Sequence, residues 1–404
     1  MARALRLAAR GLYTTQPNPR VGCVLVQAGE IVGEGWHQRA SEPHAEVFAL
    51  RAAGVRACGA TAYVTLEPCA HFGKTPPCAD ALLAAGIARV VVASRDPNPK
   101  VAGAGLQRLR EAGVAVEPGL MKAAARDLNR GFFARFERGR PWVRVKLAMS
   151  LDGRTALANG ESKWITSAAA RADVQRWRAR SSALLTAAGT ARADDPRLTV
   201  RLHAFEPLSP RERGRGEGTR SDVATAEPPP GASCDHGAPG HGCQPYPNGE
   251  GNRFVPPLRV VLDARLDALA LHANLLDGSA PTLVLHAPGA QPRDDRHARC
   301  ELAATPLDAH GRHLDLDAAL RLLAARGVNE VQVEAGPALC GALFAQDLVD
   351  ELLVYIAPTL LGDSARPLLR LPGLASLAER REWRSVDRRQ LGIDTRVLLR
   401  PAAL

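Results

Sequence analysis

The chain of 404 residues predicts an α/β protein made of two layered domains. Apolar segments of strand length alternate with helical segments of about ten residues, which is typical of layered α/β sheets. The length is too great for one ordinary domain and suits two, each with its own core. The polar residues 137–141 interrupt the alternation. We therefore expect domains at residues 1–140 and 141–404, joined at this segment.

The first domain alternates strands with helices after an amphipathic N-terminal helix. Its expected strands are residues 21–26, 31–35, 61–66, 89–93 and 114–117. Its expected helices are residues 1–10, 43–53, 77–85, 105–112 and 123–138. Ala28 and Gly29 favour a turn between the first two strands, so these strands are expected to pair.

The second domain continues the alternation. Its expected strands are residues 142–148, 183–186, 258–262, 282–286, 330–334, 351–356 and 396–400. Its expected helices are residues 168–180 and 317–325, and a third helix follows the Gly-rich turn after the strand at 330–334. The regular pattern predicts a second α/β sheet.

Residues 206–256 do not fit either domain. They are rich in Gly, Pro, Arg and Glu and carry almost no periodic apolar residues. Such a segment cannot bury enough apolar surface to offset its chain entropy, so we expect a disordered surface insertion. Four side chains within it are spaced like a metal-binding knuckle: Cys234, His236, His241 and Cys243. No expected strand or helix flanks them, and we do not predict a metal site there.

Charge and composition exclude several classes of protein. The net charge is +10, but the basic residues are nearly all Arg and form no stripe interleaved with aromatic residues, so we expect no nucleic-acid partner. No apolar run reaches the roughly 18 residues of a membrane span. The N-terminal helix carries Arg3, Arg6 and Arg10, which excludes the apolar core of a signal peptide. We expect a cytoplasmic protein whose cysteines bind metal or pack in a core and form no disulfide framework.

Four residues of the first domain predict a catalytic metal site. His44 and Glu46 open an expected helix, Cys69 follows a strand, and Cys78 opens another helix. Three N and S ligands leave a fourth position for water, as in catalytic zinc sites, and zinc lowers the pKa of that water toward about 7. Glu46 would then carry the proton in a hydrolytic deamination. Residues two apart face opposite sides of a regular helix, so His44 must lie at the helix N-terminus, which Pro43 favours.

Residues 70–77 form a long spacer between the two cysteines. Deaminases of nucleic acids and free nucleosides have a two-residue spacer, so this one is expected to form a loop over the pocket. His71, Lys74 and Thr75 in this loop can donate hydrogen bonds to a phosphate, although Lys74 is equally well explained as a solvated surface charge. A tRNA or nucleobase deaminase would need the short spacer and a basic groove. A non-enzymatic zinc protein would need a fourth protein ligand and no Glu46.

Several motifs resemble the bifunctional deaminase–reductases of bacterial riboflavin biosynthesis. In the first half they are TQPNPRVG at 15–22, EPHAE at 42–46, TLEPC at 65–69, TPPC at 75–78 and DPNP at 96–99. In the second half they are KLAMSLDGR at 146–154, ESKWIT at 161–166, ADDPRLTVR at 193–201 and VEAGP at 333–337. The resemblance covers nearly the whole chain apart from the insertion.

This resemblance implies a cytidine-deaminase-like αβα domain followed by a dihydrofolate-reductase-like α/β domain. It implies zinc-dependent deamination of 2,5-diamino-6-(5-phosphoribosylamino)pyrimidin-4(3H)-one to 5-amino-6-(5-phosphoribosylamino)uracil, and then reduction of the ribosyl group to ribityl by NADPH. The implied ligands are small phosphorylated pyrimidines, and the implied assembly is a homo-oligomer, a dimer through the reductase domains. An alternative is that only the deaminase is active, because the insertion lies in the reductase domain.

The resemblance also assigns roles to individual residues. The implied substrate contacts are Asn18, His71, Lys74, Ser162, Arg178, Arg201 and Glu334. The implied NADPH contacts are Lys146, Ala148, Trp164, Thr190, Asp194, Leu198 and the turn of Gly336, Pro337, Ala338, Leu339, Cys340, Gly341 and Ala342. The residues by themselves say less. A Gly-rich turn before a helix can bind a phosphate but is more often an ordinary turn, and a lone Arg is usually a surface residue.

Overall fold

The computed structural model describes residues 1–72, 76–201 and 254–402 of the chain. These residues form two large sheets with helices against them, so the predicted α/β class is confirmed. Lys74 and Thr75 lie outside the described residues, as does the predicted insertion apart from its last three residues. In the described parts of the chain, every helix is too short or too polar to cross a membrane.

The smaller sheet is built from the first half of the chain. Its strands are β1 (Gly22–Gln27), β2 (Glu30–Trp36), β3 (Thr61–Val64), β4 (Arg89–Val92) and β5 (Ala115–Pro118). Their order is β2-β1-β3-β4-β5, with β1 antiparallel to both neighbours and β3, β4 and β5 parallel. The helices of this half are α1 (Ala2–Ala8), α2 (Ala45–Ala53), α3 (Cys78–Ala84), α4 (Ala104–Glu111), α5 (Lys122–Leu128) and α6 (Arg130–Arg138).

Two glycines of β2 let α2 approach the sheet closely. A Cβ atom on Gly35 would lie 2.3 Å from the carbonyl oxygen of Ala45, and one on Gly33 would lie 2.2 Å from that of Ala49. Any side chain at either position would push the helix away from the strand. The first turn of α2 is therefore fixed against the sheet, and this turn carries the predicted catalytic residue Glu46.

The larger sheet is built from the second half. Its strands are β6 (Trp142–Ser150), β8 (Ala183–Ala187), β9 (Leu258–Leu262), β10 (Thr282–His286), β11 (Glu301–Ala304), β12 (Glu330–Val333), β13 (Glu351–Ala357), β15 (Trp383–Leu391) and β16 (Asp394–Pro401). Their order is β11-β10-β9-β8-β12-β6-β13-β16-β15, parallel from β11 to β13 and antiparallel for the last two strands. A small separate ladder joins β7 (Arg154–Ala156) to β14 (Arg366–Pro367).

Four helices accompany the larger sheet in the described residues. They are α7 (Ala168–Arg180), α8 (Ala188–Asp194), α9 (Leu316–Ala325) and α10 (Pro337–Ala345). The parallel strands are buried on both faces; Val143, Val331 and Leu353 are fully enclosed. Ligands of such sheets bind outside the carboxyl ends of the parallel strands. The loops after β6, β8 and β12 are therefore the expected location of a site.

Buried charges join the two halves. Arg20, from the loop before β1, contacts Glu330 of the larger sheet with Nη2 and Oε1 3.0 Å apart. Glu330 also binds Arg144 at 3.0 Å, and Arg144 binds Glu351 at 2.6 Å. Burial opposes the charged form of Glu330, yet the guanidinium groups of Arg180, Arg20 and Arg144 hold its pKa below the usual range. This ion-pair cluster stays charged and fixes the two sheets to each other.

Some expectations from the sequence are wrong in detail. The single helix expected at 123–138 is two helices, because the backbone of Asn129 leaves the helical conformation, with φ −109° and ψ 24°. The Asn129 side chain binds the backbone of Arg20 through both its amide oxygen and its amide nitrogen, at 2.8 Å each. The strands β7, β11 and β14 and the helix α8 were not expected, and neither was the strand β15. Its residues are mostly exposed, so it lacks the apolar alternation that identifies a strand.

Candidate functional site

Three side chains converge at the carboxyl end of the smaller sheet. The ligand atoms of His44, Cys69 and Cys78 all lie within 4.8 Å of one another. His44 Nδ1 is 3.1 Å from Cys78 Sγ and 3.6 Å from Cys69 Sγ. The backbone N–H of Cys78 donates to Cys69 Sγ at 3.3 Å, which holds the two sulfur atoms side by side. The structure thus brings together the three predicted metal ligands.

Local structure explains this convergence. His44 is the N-cap of α2, as predicted, with extended backbone angles of φ −76° and ψ 167°. Because the cap residue is not yet helical, its side chain can face the same side as Glu46 two residues later. Cys78 is the first residue of α3, and Cys69 lies in the loop between β3 and α3.

Glu46 is buried beside the three ligands. Its side chain is 3% exposed, and its Oε2 atom has no hydrogen-bond partner among the described residues. Burial disfavours the carboxylate and raises the pKa of Glu46 to about 7, although the positive charge of His44 opposes the rise. A carboxyl group with this pKa can both take and give a proton near neutral pH.

The two cysteines differ in their affinity for a proton. Hydrogen bonds from Cys78 and His44 lower the pKa of Cys69 to about 4. The pKa of Cys78 is raised, because its thiol donates to Cys69 and is buried. A thiolate is the form that binds metal, and one is already favoured here.

Among the residues that the resemblance assigns to the deaminase substrate, Asn18 is half-buried and its Nδ2 lies 3.1 Å from His37 Nε2. His71 is exposed in the loop between the cysteines, next to the exposed Phe72. Lys74 is not among the described residues, so its position relative to these groups is not established.

Glu67 is a buried residue of this site that the sequence did not single out. Its Oε1 accepts the backbone N–H groups of Gly105 and Leu106 at 3.1 and 3.3 Å. Its Oε2 accepts those of Gly103 and Asp96 at 3.1 and 3.2 Å. One carboxylate therefore ties the segment that carries Cys69 to the first turn of α4. The only sequence signal for this role was the position of Glu67 directly before Pro68 and the predicted ligand Cys69.

A second group of candidate residues lies at the carboxyl ends of the larger sheet. Arg178 of α7 binds Glu334, which follows β12, through two N–O contacts of 2.7 Å each. Burial opposes the charge on Glu334, but Arg178 lowers its pKa to about 2. Both side chains are only slightly exposed, at 14% and 13%. These two residues, which the resemblance assigns to the substrate, thus form an ion pair with each other.

Lys146 of β6 faces this ion pair. Burial lowers its pKa, and the neighbouring charge of Glu334 opposes the change. Its Nζ lies 5.9 Å from the ring centroid of Tyr355, whose hydroxyl donates to Asp173 at 2.8 Å. A cation is thus held near a carboxylate and an aromatic ring, in the middle of strand β6.

The Gly-rich turn after β12 meets the start of α8. The backbone N–H of Gly336 donates to Thr190 Oγ1 at 3.1 Å, so these two candidate cofactor residues are in contact. Pro337 is the first residue of α10, and Cys340 and Gly341 are buried within it. A Cβ on Gly341 would lie 1.9 Å from the carbonyl oxygen of Arg370, so this helix requires glycine there. Ala338, Leu339 and Ala342 belong to the same helix.

The remaining reductase candidates occupy several places. Trp164 is 66% exposed with Arg171 4.5 Å from its ring centroid, and Ser162 lies two residues before it. Asp194 is exposed at the end of α8, and Leu198 beyond it is buried. The remaining two are Ala148 on β6 and Arg201, an exposed residue whose backbone N–H donates to Gln175. Within the described residues, none of these side chains forms a hydrogen bond or ion pair with Arg178 or Glu334.

Two family models match the chain. The cytidine and deoxycytidylate deaminase zinc-binding region matches residues 1–94. The RibD C-terminal domain matches residues 141–396. These matches coincide with the two sheets and confirm a deaminase-like first half and a reductase-like second half.

Full-length relatives agree. The riboflavin biosynthesis protein RibD of Escherichia coli is 47% identical over 399 residues, which cover 98% of this chain and 96% of the relative. The RibD of Haemophilus influenzae is 45% identical over 403 residues, which cover 99% and 96%.

Solved structures show the same arrangement. A structure of Acinetobacter baumannii RibD is 40% identical, covers 99% of this chain and 97% of its own, and has a TM-score of 0.81. A deaminase/reductase from Thermotoga maritima is 28% identical, covers 100% and 97%, and has a TM-score of 0.76. The chain therefore belongs to the RibD family of riboflavin biosynthesis proteins and joins a deaminase activity to a reductase activity.

Proposed function

We propose that the first half is a zinc-dependent hydrolytic deaminase in which His44, Cys69 and Cys78 hold the metal and Glu46 carries the proton. The observation that supports this most directly is the convergence of one imidazole and two thiols within 4.8 Å, beside a buried carboxyl oxygen that lacks a hydrogen-bond partner among the described residues. This donor set suits zinc, and three protein ligands are typical of catalytic zinc. Zinc bound there would supply Lewis-acid activation of water.

The proton transfers fall to Glu46. Hydrolytic deamination adds water at the amine-bearing ring carbon and releases ammonia, so one group must accept a proton from water and return protons to the ring nitrogen and the leaving amine. Glu46 is the buried group whose pKa, near 7, suits both directions. Its fixed position in the first turn of α2 keeps the carboxyl beside the ligands.

We propose that the substrate is the diaminopyrimidinone ribosylamino phosphate. The Thermotoga maritima relative is described as a diaminohydroxyphosphoribosylaminopyrimidine deaminase and 5-amino-6-(5-phosphoribosylamino)uracil reductase. Asn18, His71 and Lys74 are the proposed substrate contacts, and a lysine in the loop between the cysteines suits a phosphate.

For the second half we propose an NADPH-dependent reduction of the ribosyl group of the deaminated product. The Gly336 turn and the N-terminus of α10 are proposed to bind the cofactor, because backbone N–H groups at a helix start attract phosphate. NADPH would supply the hydride, and the chain would orient the ribose carbon against it. Arg178, Glu334, Ser162 and Arg201 are the proposed substrate contacts, and Lys146 is proposed to line the cofactor site.

We also propose that the functional division falls at residue 140, with the deaminase at 1–140 and the reductase at 141–404, working in the cytoplasm. A homodimer through the reductase domains is supported by exposed apolar side chains in that half, including Leu374, Leu377 and Ile393 at 57%, 81% and 68% exposure. Light scattering should give twice the mass of one chain, and a single-chain mass at micromolar concentration would contradict the dimer.

One coupled assay tests the proposed function. The full-length protein, purified with zinc and assayed for metal content, is given the diaminopyrimidinone ribosylamino phosphate, and ammonia is measured before and after addition of NADPH. We expect ammonia release without NADPH and NADPH oxidation only after deamination. Absence of ammonia would contradict the deaminase, and ammonia without NADPH oxidation would favour the alternative of an inactive reductase.

A further inference from the structure

His37 lies between the proposed substrate contact Asn18 and the proposed metal ligand His44. Its side chain is 3% exposed, and its ring packs edge-on against the ring of His44 with 5.4 Å between centroids. Its two ring nitrogens meet different partners. Nδ1 lies 3.2 Å from the carbonyl oxygen of Pro43, and Nε2 lies 3.1 Å from Nδ2 of Asn18.

In the neutral form of the ring, the contact with Pro43 determines where the hydrogen atoms are. A carbonyl oxygen only accepts, so His37 Nδ1 carries the proton and donates to Pro43. Nε2 of the neutral ring then accepts, so the Asn18 amide must donate an N–H to it. The oxygen and nitrogen of a planar amide point apart. Asn18 Oδ1 is therefore left as an acceptor, and no described residue is seen to donate to it.

The backbone holds both partners in place. The N–H of Asn18 donates to the carbonyl oxygen of Thr15 at 2.7 Å, and the N–H of His37 donates to that of Val21 at 2.9 Å. Asn18 is only half-buried, so its amide borders open space. With both backbones fixed, rotation of the Asn18 amide by half a turn would place its oxygen against the lone pair of His37 Nε2. The neutral imidazole therefore opposes that rotation.

We propose that His37 is a positioning residue of the deaminase, which fixes the amide of Asn18 so that its oxygen is offered to the substrate. The pocket then favours a ring edge that carries N–H groups, such as that of an aminopyrimidinone, over an edge that presents only acceptors. The inference rests on the proposed function, because it takes Asn18 to contact the deaminase substrate.

Two substitutions at residue 37 separate this role from a structural one. An Asn side chain reaches the position of Nδ1, so His37→Asn keeps a donor for Pro43 and loses the partner of Asn18. A Gln side chain reaches the position of Nε2, so His37→Gln keeps an acceptor for Asn18. Ammonia release by the zinc-loaded full-length chain is measured over a range of concentrations of the diaminopyrimidinone ribosylamino phosphate.

We expect His37→Asn to raise KM about 10-fold, the effect of one misdirected hydrogen bond, with little change in kcat. His37→Gln should keep a KM close to that of the original chain. If His37 serves only to support Pro43, the order of the two variants is reversed, and that result overturns the proposal. An equal KM for both variants overturns it too.

A double-mutant cycle completes the test. In an Asn18→Ala background, His37→Asn should change KM no further, whereas additive effects would contradict the proposed coupling. NADPH oxidation with the deaminated compound supplied directly reports the folding of each variant independently of the deaminase. No ammonia from the unmodified chain would refute the proposed function, whereas turnover with an unchanged KM in His37→Asn would refute this inference alone.

Discussion

The two candidate sites of this chain differ in how they are assembled. The deaminase groups come from residues 44–78, at the starts of two helices and the end of one strand. The reductase candidates come from strands, helices and loops between Lys146 and Ala342. Glu46 of the first site has one carboxyl oxygen without a hydrogen-bond partner in the described part of the chain, whereas both oxygens of Glu334 in the second site bind Arg178. The first site therefore has a carboxyl group that is free to exchange a proton. The second has a carboxylate that an ion pair holds in place.

The largest expected effect separates the two activities at Glu46. Glu46→Gln should reduce ammonia release by about 100- to 10,000-fold, because the amide cannot carry a proton. Zinc content should remain, since Glu46 is not a proposed ligand, and NADPH oxidation with the deaminated compound should continue. Ammonia assay, metal analysis and NADPH absorbance measure the three quantities. Ammonia release at the original rate would contradict the proposed role of Glu46.

Arg178→Met tests the ion pair between Arg178 and Glu334 in the reductase half. Removing one partner leaves the Glu334 carboxylate buried without its main counter-charge, and the expected loss of stability is about 3 kcal/mol. The free energy of unfolding in urea measures this loss, and NADPH oxidation should fall while ammonia release persists under native conditions. Arg321→Met removes an exposed pair with Asp317 in α9 and is the matched control, for which little change is expected.

Acid should weaken the junction between the sheets. Burial opposes the charge on Glu351, yet Arg144 and Arg130 lower its pKa from 4.5 to about 2. A carboxyl group whose pKa is lowered in the folded state stabilises that state above pH 4.5 and loses this contribution as the pH falls toward 2. The contribution is on the order of 3 kcal/mol.

The urea midpoint of the full-length chain, followed by tryptophan fluorescence at pH 7, 4 and 3, measures this dependence. Trp142 and Trp177 are suitable reporters, because guanidinium groups of the same cluster pack on their rings. Glu351→Gln should lower the midpoint at pH 7 and flatten its dependence on pH. A variant that retains the full acid dependence would show that another group is responsible.

The smallest effect is expected at Glu67. Glu67→Gln keeps one oxygen but turns an NH₂ group toward two backbone N–H donors, which costs about 1–3 kcal/mol. The segment that carries Cys69 should loosen, so zinc should be lost to a chelator at lower concentration while NADPH oxidation is unaffected. Glu34→Gln, which removes a surface pair with Arg3, is the control. Equal chelator sensitivity in the two variants would contradict a positioning role for Glu67.

Sequence patterns predicted most of the sheet framework and the metal cluster. The strands β9 and β10 and the helix α7 lie where the sequence predicts them, because apolar runs and helical periodicity are local signals. The three proposed metal ligands were identifiable because zinc chemistry restricts the residue types. His44 as the N-cap of α2 follows from geometry alone.

The features that the sequence did not predict have a common physical cause, because each depends on contacts with residues far away in the chain. Asn129 interrupts a good helical sequence because its side chain binds the backbone of Arg20, more than 100 residues away. The polar strand β15 exists because β16 pairs with it. His37 and Glu67 matter through hydrogen bonds that no local pattern encodes, and Arg178 meets Glu334 only in the folded sheet.

The ion pair between Arg20 and Glu330 has a consequence for protein engineering. Both partners are almost entirely buried, with side-chain exposures of 4% and 1%. In an isolated half, one of these two charges would lose its partner, and the remaining polar groups of the ion-pair cluster would be exposed to water. Swapping either catalytic unit into another enzyme would therefore require grafting its matching contacts as well, and a fusion designed only around a flexible linker would lose the fixed orientation that this chain has.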